Sequence, residues 1–315
     1  MRTPSPARRI ALALFCALIS ISAFAQSSAY KPGAPVLMWK VSSASNSAYL
    51  LGSVHLGDKS FYPLPSVIEN AFAASSLLIV EVDIRKVDQL ELQQLIAASG
   101  TYPPGDDLFQ HIAPETKAKL DAFLGANGIP DILVARYRPW MAGLTVSMLP
   151  MIKAGLNPND GIDMYFLNKA GGKPVEQLED AAWQVKLLSS VPERASDKFL
   201  LSAIAQAERS KETWTKLATF WSEGAADKID ELTKADEADD SADEKALSRR
   251  LREERNPHMT DRLEKCLHSS ESCFMVVGAA HAVGSQGIVK QLQARGYRVE
   301  QSVVENPAPV IHTLQ

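Results

Sequence analysis

The sequence predicts an α/β fold with a mixed central sheet, built from two strand–Gly-x-x-His–helix–strand repeats with a large helical insertion between them. Three observations predict it. First, Leu50-Leu51-Gly52-Ser53-Val54-His55 and Val276-Val277-Gly278-Ala279-Ala280-His281 each end an apolar run at a glycine and place a histidine three residues later. Second, each phrase is followed by a loop, a helical stretch and another apolar run. Third, the long segment between them carries apolar residues at helical spacing.

In chain order, apolar runs at 36–41 and 48–52 read as strands, with Asn46 suited to the turn between them. Residues 66–74 read as helix and 77–82 as strand, completing the first repeat. Helical spacing then recurs at 87–98, 114–124, 132–153, 161–170, 181–188, 195–224 and 243–267, with Pro114 and Asp131 as helix-start residues. After Gly171-Gly172, the run 173–178 reads as a further strand beside the first set. The second repeat supplies a strand at 274–277, a helix at 288–294 and a strand at 297–304. Sheet halves at about 36–86 and 268–305 thus flank a helical middle at about 87–267. Together they form one discontinuous domain over 26–315, its middle covering the sheet or acting as a lid. The charged stretch 227–254, including Asp236-Glu237-Ala238-Asp239-Asp240, reads as a solvated helix face or loop.

Arg2, Arg8 and Arg9, an apolar run at 10–21 and Ala23-Phe24-Ala25 predict a secretory signal peptide over 1–25. Its apolar run is too short for a transmembrane span, and no later stretch is long and apolar enough. Cys16 does not read as a lipid anchor, because Phe15 before it is bulky and the apolar run continues past it. A periplasmic or secreted protein is expected. The chain has 33 basic and 37 acidic residues, and losing the leader removes three arginines. An acidic chain argues against nucleic acid as a partner. In an oxidising compartment Cys266 and Cys273 are expected to form a disulfide. The alternative, a metal pair, lacks a neighbouring cluster of zinc-site spacing.

Gly52 and Gly278 each end a strand and allow a sharp turn or close approach to a ligand, which marks them as cofactor-binding positions. His55 and His281 then stand at the carboxyl edge of the sheet, where α/β sheets bind ligands. Two equivalent histidine-bearing turns are hard to explain by packing alone. Glu81-Val82-Asp83 follows an apolar strand, and alternation puts Glu81 and Asp83 on one side. A carboxylate there needs a partner, whether a metal, a histidinium or Arg85. His55, His281 and Glu81 together make a familiar hydrolytic metal set with a position open for water. His111, His258, His268 and His312 lack comparable context and read as surface or structural residues. No Gly-x-Ser-x-Gly elbow and no His-Glu-x-x-His helix is present.

The phrase 51–57 with Phe61-Tyr62-Pro63-Leu64-Pro65, then Val80-Glu81-Val82-Asp83, Gly161-Ile162-Asp163, Glu254-Arg255-Asn256 and Val277-Gly278-Ala279-Ala280-His281, resembles the TraB/GumN family over almost all of the chain. That family includes the TIKI proteases and is related to erythromycin esterases and haem-binding ChaN proteins. The resemblance implies a metal-dependent hydrolase of a peptide or another amide or ester bond. It implies His55, His281 and Glu81 as ligands of a divalent metal ion such as manganese, cobalt or zinc, with Glu81 alternatively the general base. It also implies Arg255 and Asn256 at the same site, Arg255 stabilising an oxyanion. Two alternatives stay open: a metal-free esterase-like hydrolase with a histidine as base, and a binding protein that holds haem or a signal peptide without cleaving it.

Overall fold

The computed structural model describes residues 30–236 and 242–305. The expected signal segment, part of the acidic run and His312 lie outside the described residues.

Six strands form one sheet: β1 (Pro35–Ser42), β2 (Ser47–Ser53), β3 (Leu77–Val80), β4 (Val175–Gln177), β5 (Cys273–Gly278) and β6 (Arg298–Val303), in the order β4-β3-β5-β2-β1-β6. The β1–β2 pair is an antiparallel hairpin, and β6 runs antiparallel to β1. The pairs β2–β5, β3–β5 and β3–β4 are parallel, so β1 alone runs against the rest. Strand β5 is buried along its whole length and reads as a continuous apolar run, as a central parallel strand must when both faces are covered. Because β2 and β5 are parallel neighbours with Ser53 opposite Gly278, the two Gly-x-x-His turns leave the same edge side by side.

The helices are α1 (Ser66–Ala74), α2 (Gln89–Gly100), α3 (Pro114–Asn127), α4 (Pro139–Lys153), α5 (Ile162–Lys169), α6 (Ala181–Ser189), α7 (Glu193–Ser222), α8 (Ala226–Asp236), α9 (Ala242–Leu251), α10 (Asn256–Leu267), α11 (Ala279–Ala282) and α12 (Ile288–Ala294). The main core lies on the sheet and joins Leu50, Leu78, Phe274 and Ile288 to Phe166 of α5 and Leu263 of α10. A second cluster lies within the helical middle, where Leu120, Val146, Leu200 and Ile204 bring α3, α4 and α7 together. Helix α7 links the two, since the Trp221 indole at its end donates to the Gly52 carbonyl at 2.7 Å.

Three elements depart from the sequence reading. Helix α4 begins at Pro139 rather than 132, because the residue before a proline is held extended, as Arg138 is with ψ of 156°. Asp131 begins a short 3-10 turn at Asp131–Leu133 instead. The expected helix 243–267 is two helices, broken just before Pro257, which stands in the first turn of α10. Strand β3 ends at Val80, so Glu81 and Asp83 lie beyond it and strand alternation does not govern them.

The expected disulfide joins Cys266 at the end of α10 to Cys273 at the start of β5, with 6.2 Å between the Cα atoms. Among the described residues no helix is long and apolar enough to cross a membrane.

Candidate functional site

The first half of the site is built where α5 docks on the loop after β2. Gly57 and Asn157 exchange backbone hydrogen bonds, and Ile162 N–H donates to the Val54 carbonyl. A Cβ at Gly161 would meet the His55 carbonyl at 2.4 Å, so only glycine permits this approach. The result puts Asp163, in the first turn of α5, beside His55: Nδ1 lies 3.2 Å from Asp163 Oδ1. A carboxylate only accepts, so the neutral ring carries its proton on Nδ1 and keeps the lone pair on Nε2. That Nε2 is turned toward Gly278. A methyl added there would stand 3.2 Å from it, 3.3 Å from Glu81 Oε1 and 3.6 Å from His281 Cδ2. His55, Glu81 and His281 therefore surround one point at the carboxyl edge of the sheet.

The second half is organised by Arg255, placed by the break between α9 and α10. All five of its N–H groups are engaged. Nε and Nη2 reach Glu179 at 2.7 Å each, and Nη2 also reaches Glu81 Oε2 at 2.6 Å. Nη1 donates to the Leu251 carbonyl at 2.6 Å and lies 3.1 Å from His281 Nε2. Glu179 comes alongside because the β3–β4 ladder continues, with Glu179 N–H donating to the Glu81 carbonyl. Glu81 is completed by Gly278 N–H at 2.6 Å. His281 Nδ1 meets Asn256 Oδ1 at 2.7 Å, and Asn256 Nδ2 is anchored on the Gln286 carbonyl.

Burial alone would raise Glu81, but His281, His55, Arg255 and the Gly278 N–H take it down to about 2. Burial lowers His281 to about 4, against the pull of Glu81 and with the help of Arg255. At neutral pH His281 is therefore uncharged, and the cations facing Glu81 are Arg255 and His55. For His55 the crowding of the cleft walls lowers the value, but the Asp163 hydrogen bond and charge, together with Glu81, outweigh it and raise it to about 9. Water reaches 61% of this side chain from the cleft.

The side chains as arranged do not form a metal centre. Zinc-like ligation needs each donor within about 2.0–2.3 Å of the ion, and so all donors close to one another. Among the described residues the group of three or more whose donor atoms lie within 4.8 Å of one another is Cys266, Glu271 and Cys273, and both of its cysteines are in the disulfide. Glu81 Oε2 and His281 Nε2 lie 3.8 Å apart, with the Arg255 guanidinium hydrogen-bonded to both.

The model of the TraB/PrgY/gumN family matches residues 37–301. The chain belongs to this family. It is similar to the uncharacterized protein YbaP of Shigella flexneri, 27% identical over 149 residues, which is 47% of this chain and 53% of that protein. It is also similar to YbaP of Escherichia coli K12, 27% identical over 148 residues, 46% and 53% of the two chains. The chain spans about half the length of the curated relatives it matches. No solved structure matches.

In this TraB/PrgY/gumN chain the residues expected at the site divide. His55, Glu81, His281, Arg255, Asn256 and Gly278 come together. Asp83 does not, being fully buried and forked against Arg85, with two contacts of 2.8 Å. Gly52 does not either, since a Cβ there would meet Leu37 Cδ2 at 2.8 Å and the Ala279 backbone at 3.2 Å. That is packing between sheet and turn, not ligand approach. Arg255 has no N–H left for an oxyanion. His111 pairs with Asp106 and Glu193, His258 leans on the Leu178 carbonyl, and His268 meets the Tyr297 hydroxyl. Sequence reasoning gave no site role to Asp163 or Glu179. Asp163 stood in the quoted Gly161-Ile162-Asp163 phrase, whereas Glu179, just past a short polar strand, carried no such signal.

A cleft of about 540 Å³ opens onto the site, floored by Ser53, His55 and Gly278 to His281 and walled by α7, α8 and α9.

Proposed function

We propose that the chain is an exported hydrolase of ester or amide bonds that uses His55 as its base without a metal. The observation that carries this reading is the His55–Asp163 pair, which leaves Nε2 facing the cleft above Gly278. Neutral His55 takes a proton from water through Nε2 while the water oxygen bonds to the substrate carbonyl carbon. The imidazolium so formed is stabilised by Asp163, and it returns the proton to the alcohol or amine as the bond to the leaving group breaks. Glu81, Arg255, Glu179, His281 and Asn256 are positioning residues: they form a closed network that fixes the Gly278 turn under the reacting centre. A metal at His281 would require Arg255 to leave Nε2 first. Export is supported by the leader-like start and fits the Cys266–Cys273 disulfide.

The test is hydrolysis of p-nitrophenyl acetate by the purified full chain. His55→Ala should lower turnover by about 10²–10⁴-fold, the usual weight of a general base. Equal rates for His55→Ala and the unaltered protein would refute the proposal.

A further inference from the structure

We infer that the substrate is a long-chain acyl ester, with its chain laid along α7; this rests on the hydrolase reading above. The cleft is lined on α7 from Phe199 to Leu217. That is five helical turns, about 27 Å at the standard rise. A volume of about 540 Å³ drawn out over such a length is a narrow trough, and a compact ligand would fill only part of it. Its walls are mostly apolar, with Phe199, Ala203, Leu217, Ile229, Leu247 and Leu251, and their polar members, such as Gln206 and Thr213, are uncharged apart from Arg252. Among the described residues, the ionisable side chains that line it are His55 and His281 at the floor and Arg252 of the α9–α10 break, and no carboxylate does.

An extended peptide fits this surface poorly. An extended peptide that binds by strand addition relies on backbone pairing with an exposed strand edge. The edges of this sheet are β4 and β6, while the floor is the ends of β2 and β5, which are interior strands. The walls are helices, whose backbone groups are already paired within the helix and offer only side chains. A methylene chain asks for nothing else, because it gains by leaving water. Its carbonyl would then reach His55 at the polar end. The balanced reaction is water plus ester giving fatty acid and alcohol, the acyl C–O bond breaking as the water oxygen bonds to carbon.

The experiment uses a series of p-nitrophenyl esters from acetate to dodecanoate with the full chain, and reads kcat/KM. Each buried methylene is worth up to about fourfold, so at least about a tenfold rise from acetate to octanoate is expected. Ala203→Phe, which narrows the trough, should move the optimum to shorter chains. In parallel, binding of a fluorescent long-chain fatty acid to His55→Ala is measured, because that needs no turnover. Turnover that is flat with chain length overturns the acyl inference and leaves the hydrolase standing. Fatty-acid binding with no turnover of any ester supports the trough and sinks the hydrolase. Displacement of the probe by apolar peptides but not by fatty acids overturns the inference in favour of a peptide. Absence of both binding and turnover removes both readings.

Discussion

Arg255 Nη1 stands 3.1 Å from His281 Nε2, and this contact decides the chemistry of the ring. A guanidinium only donates, so Nε2 must accept. Nδ1 then donates to Asn256 Oδ1, whose orientation is fixed because the Asn256 amide N–H donates to the Gln286 carbonyl. Both nitrogens of His281 are therefore engaged, while His55 keeps one free. The two histidines of the repeated phrase share a place but differ in their bonding: His281 is held at both nitrogens and His55 at one.

Arg255→Ala should be strongly destabilising. It leaves Glu81 and Glu179, at 12% and 7% side-chain exposure, buried without their counter-ion. Breaking a buried pair in this way costs about 3–5 kcal/mol. Urea unfolding should show that loss. Arg255→Lys keeps the charge but offers fewer donors in the wrong geometry, so it should recover only part. A midpoint unchanged in Arg255→Ala would mean the network does not hold the fold.

The rate should follow the neutral form of His55. With its value raised to about 9, turnover should climb about tenfold per pH unit from neutral and level off near pH 9. Asp163→Asn removes the cause of the rise, and the midpoint of the profile should fall toward the unperturbed 6.5. A midpoint indifferent to Asp163→Asn would separate the titrating base from His55.

Stability should fall on the acid side as buried His281 is forced to take up a proton. His281 is lowered from 6.5 to about 4, so the unfolded chain takes up its proton first. Its contribution is complete above pH 6.5 and is lost as pH falls toward 4. Glu81, lowered to about 2, adds a second loss below its ordinary 4.5. His55 has the opposite sign: raised to about 9, it stabilises fully below 6.5 and loses that contribution as pH rises to 9. Thermal melts across pH should show the loss between 6.5 and 4, and His281→Gln should flatten that segment.

The two repeat glycines should respond differently to alanine. At Gly278 the backbone angles are ordinary, φ −51° and ψ 138°, and the new methyl would meet the tips of His55 and Glu81. Gly278→Ala should lose turnover with little change in melting. At Gly52 the methyl would strike Leu37 and the Ala279 backbone, so Gly52→Ala is an overpacking change of about 1–3 kcal/mol. Matching effects of the two on turnover and stability would contradict this division.

Chelation should change little. Turnover and melting temperature should be the same before and after exhaustive dialysis against EDTA, and protein purified without chelator should carry no stoichiometric metal by mass spectrometry. One equivalent of tightly held manganese, cobalt or zinc would show that Arg255 yields its place to an ion.

The repeated phrase was legible because a parallel strand, a glycine and a histidine are all local signals, and two copies placed both turns on one edge. The boundaries of α1 and α12 followed from spacing alone. What the sequence hid came from the helical middle. Asp163 reaches His55 through an approach of Gly161 to the His55 carbonyl, which no periodicity encodes. Glu179 matters only because β4 lies beside β3. Asp83 looked equivalent to Glu81 until the strand ended two residues early and Arg85 claimed it.

Strand β5 sits between β3 and β2, although it starts at Cys273 and they end at Val80 and Ser53. Until β5 is in place, the β3–β4 and β1–β2 pairs are therefore two separate fragments of sheet with no strand joining them. Open strand edges can pair with foreign strands, so changes that loosen residues 273–278 should favour aggregation over simple unfolding. The same strand leads into Gly278 and His281, so the two halves of the candidate site meet only when the sheet closes.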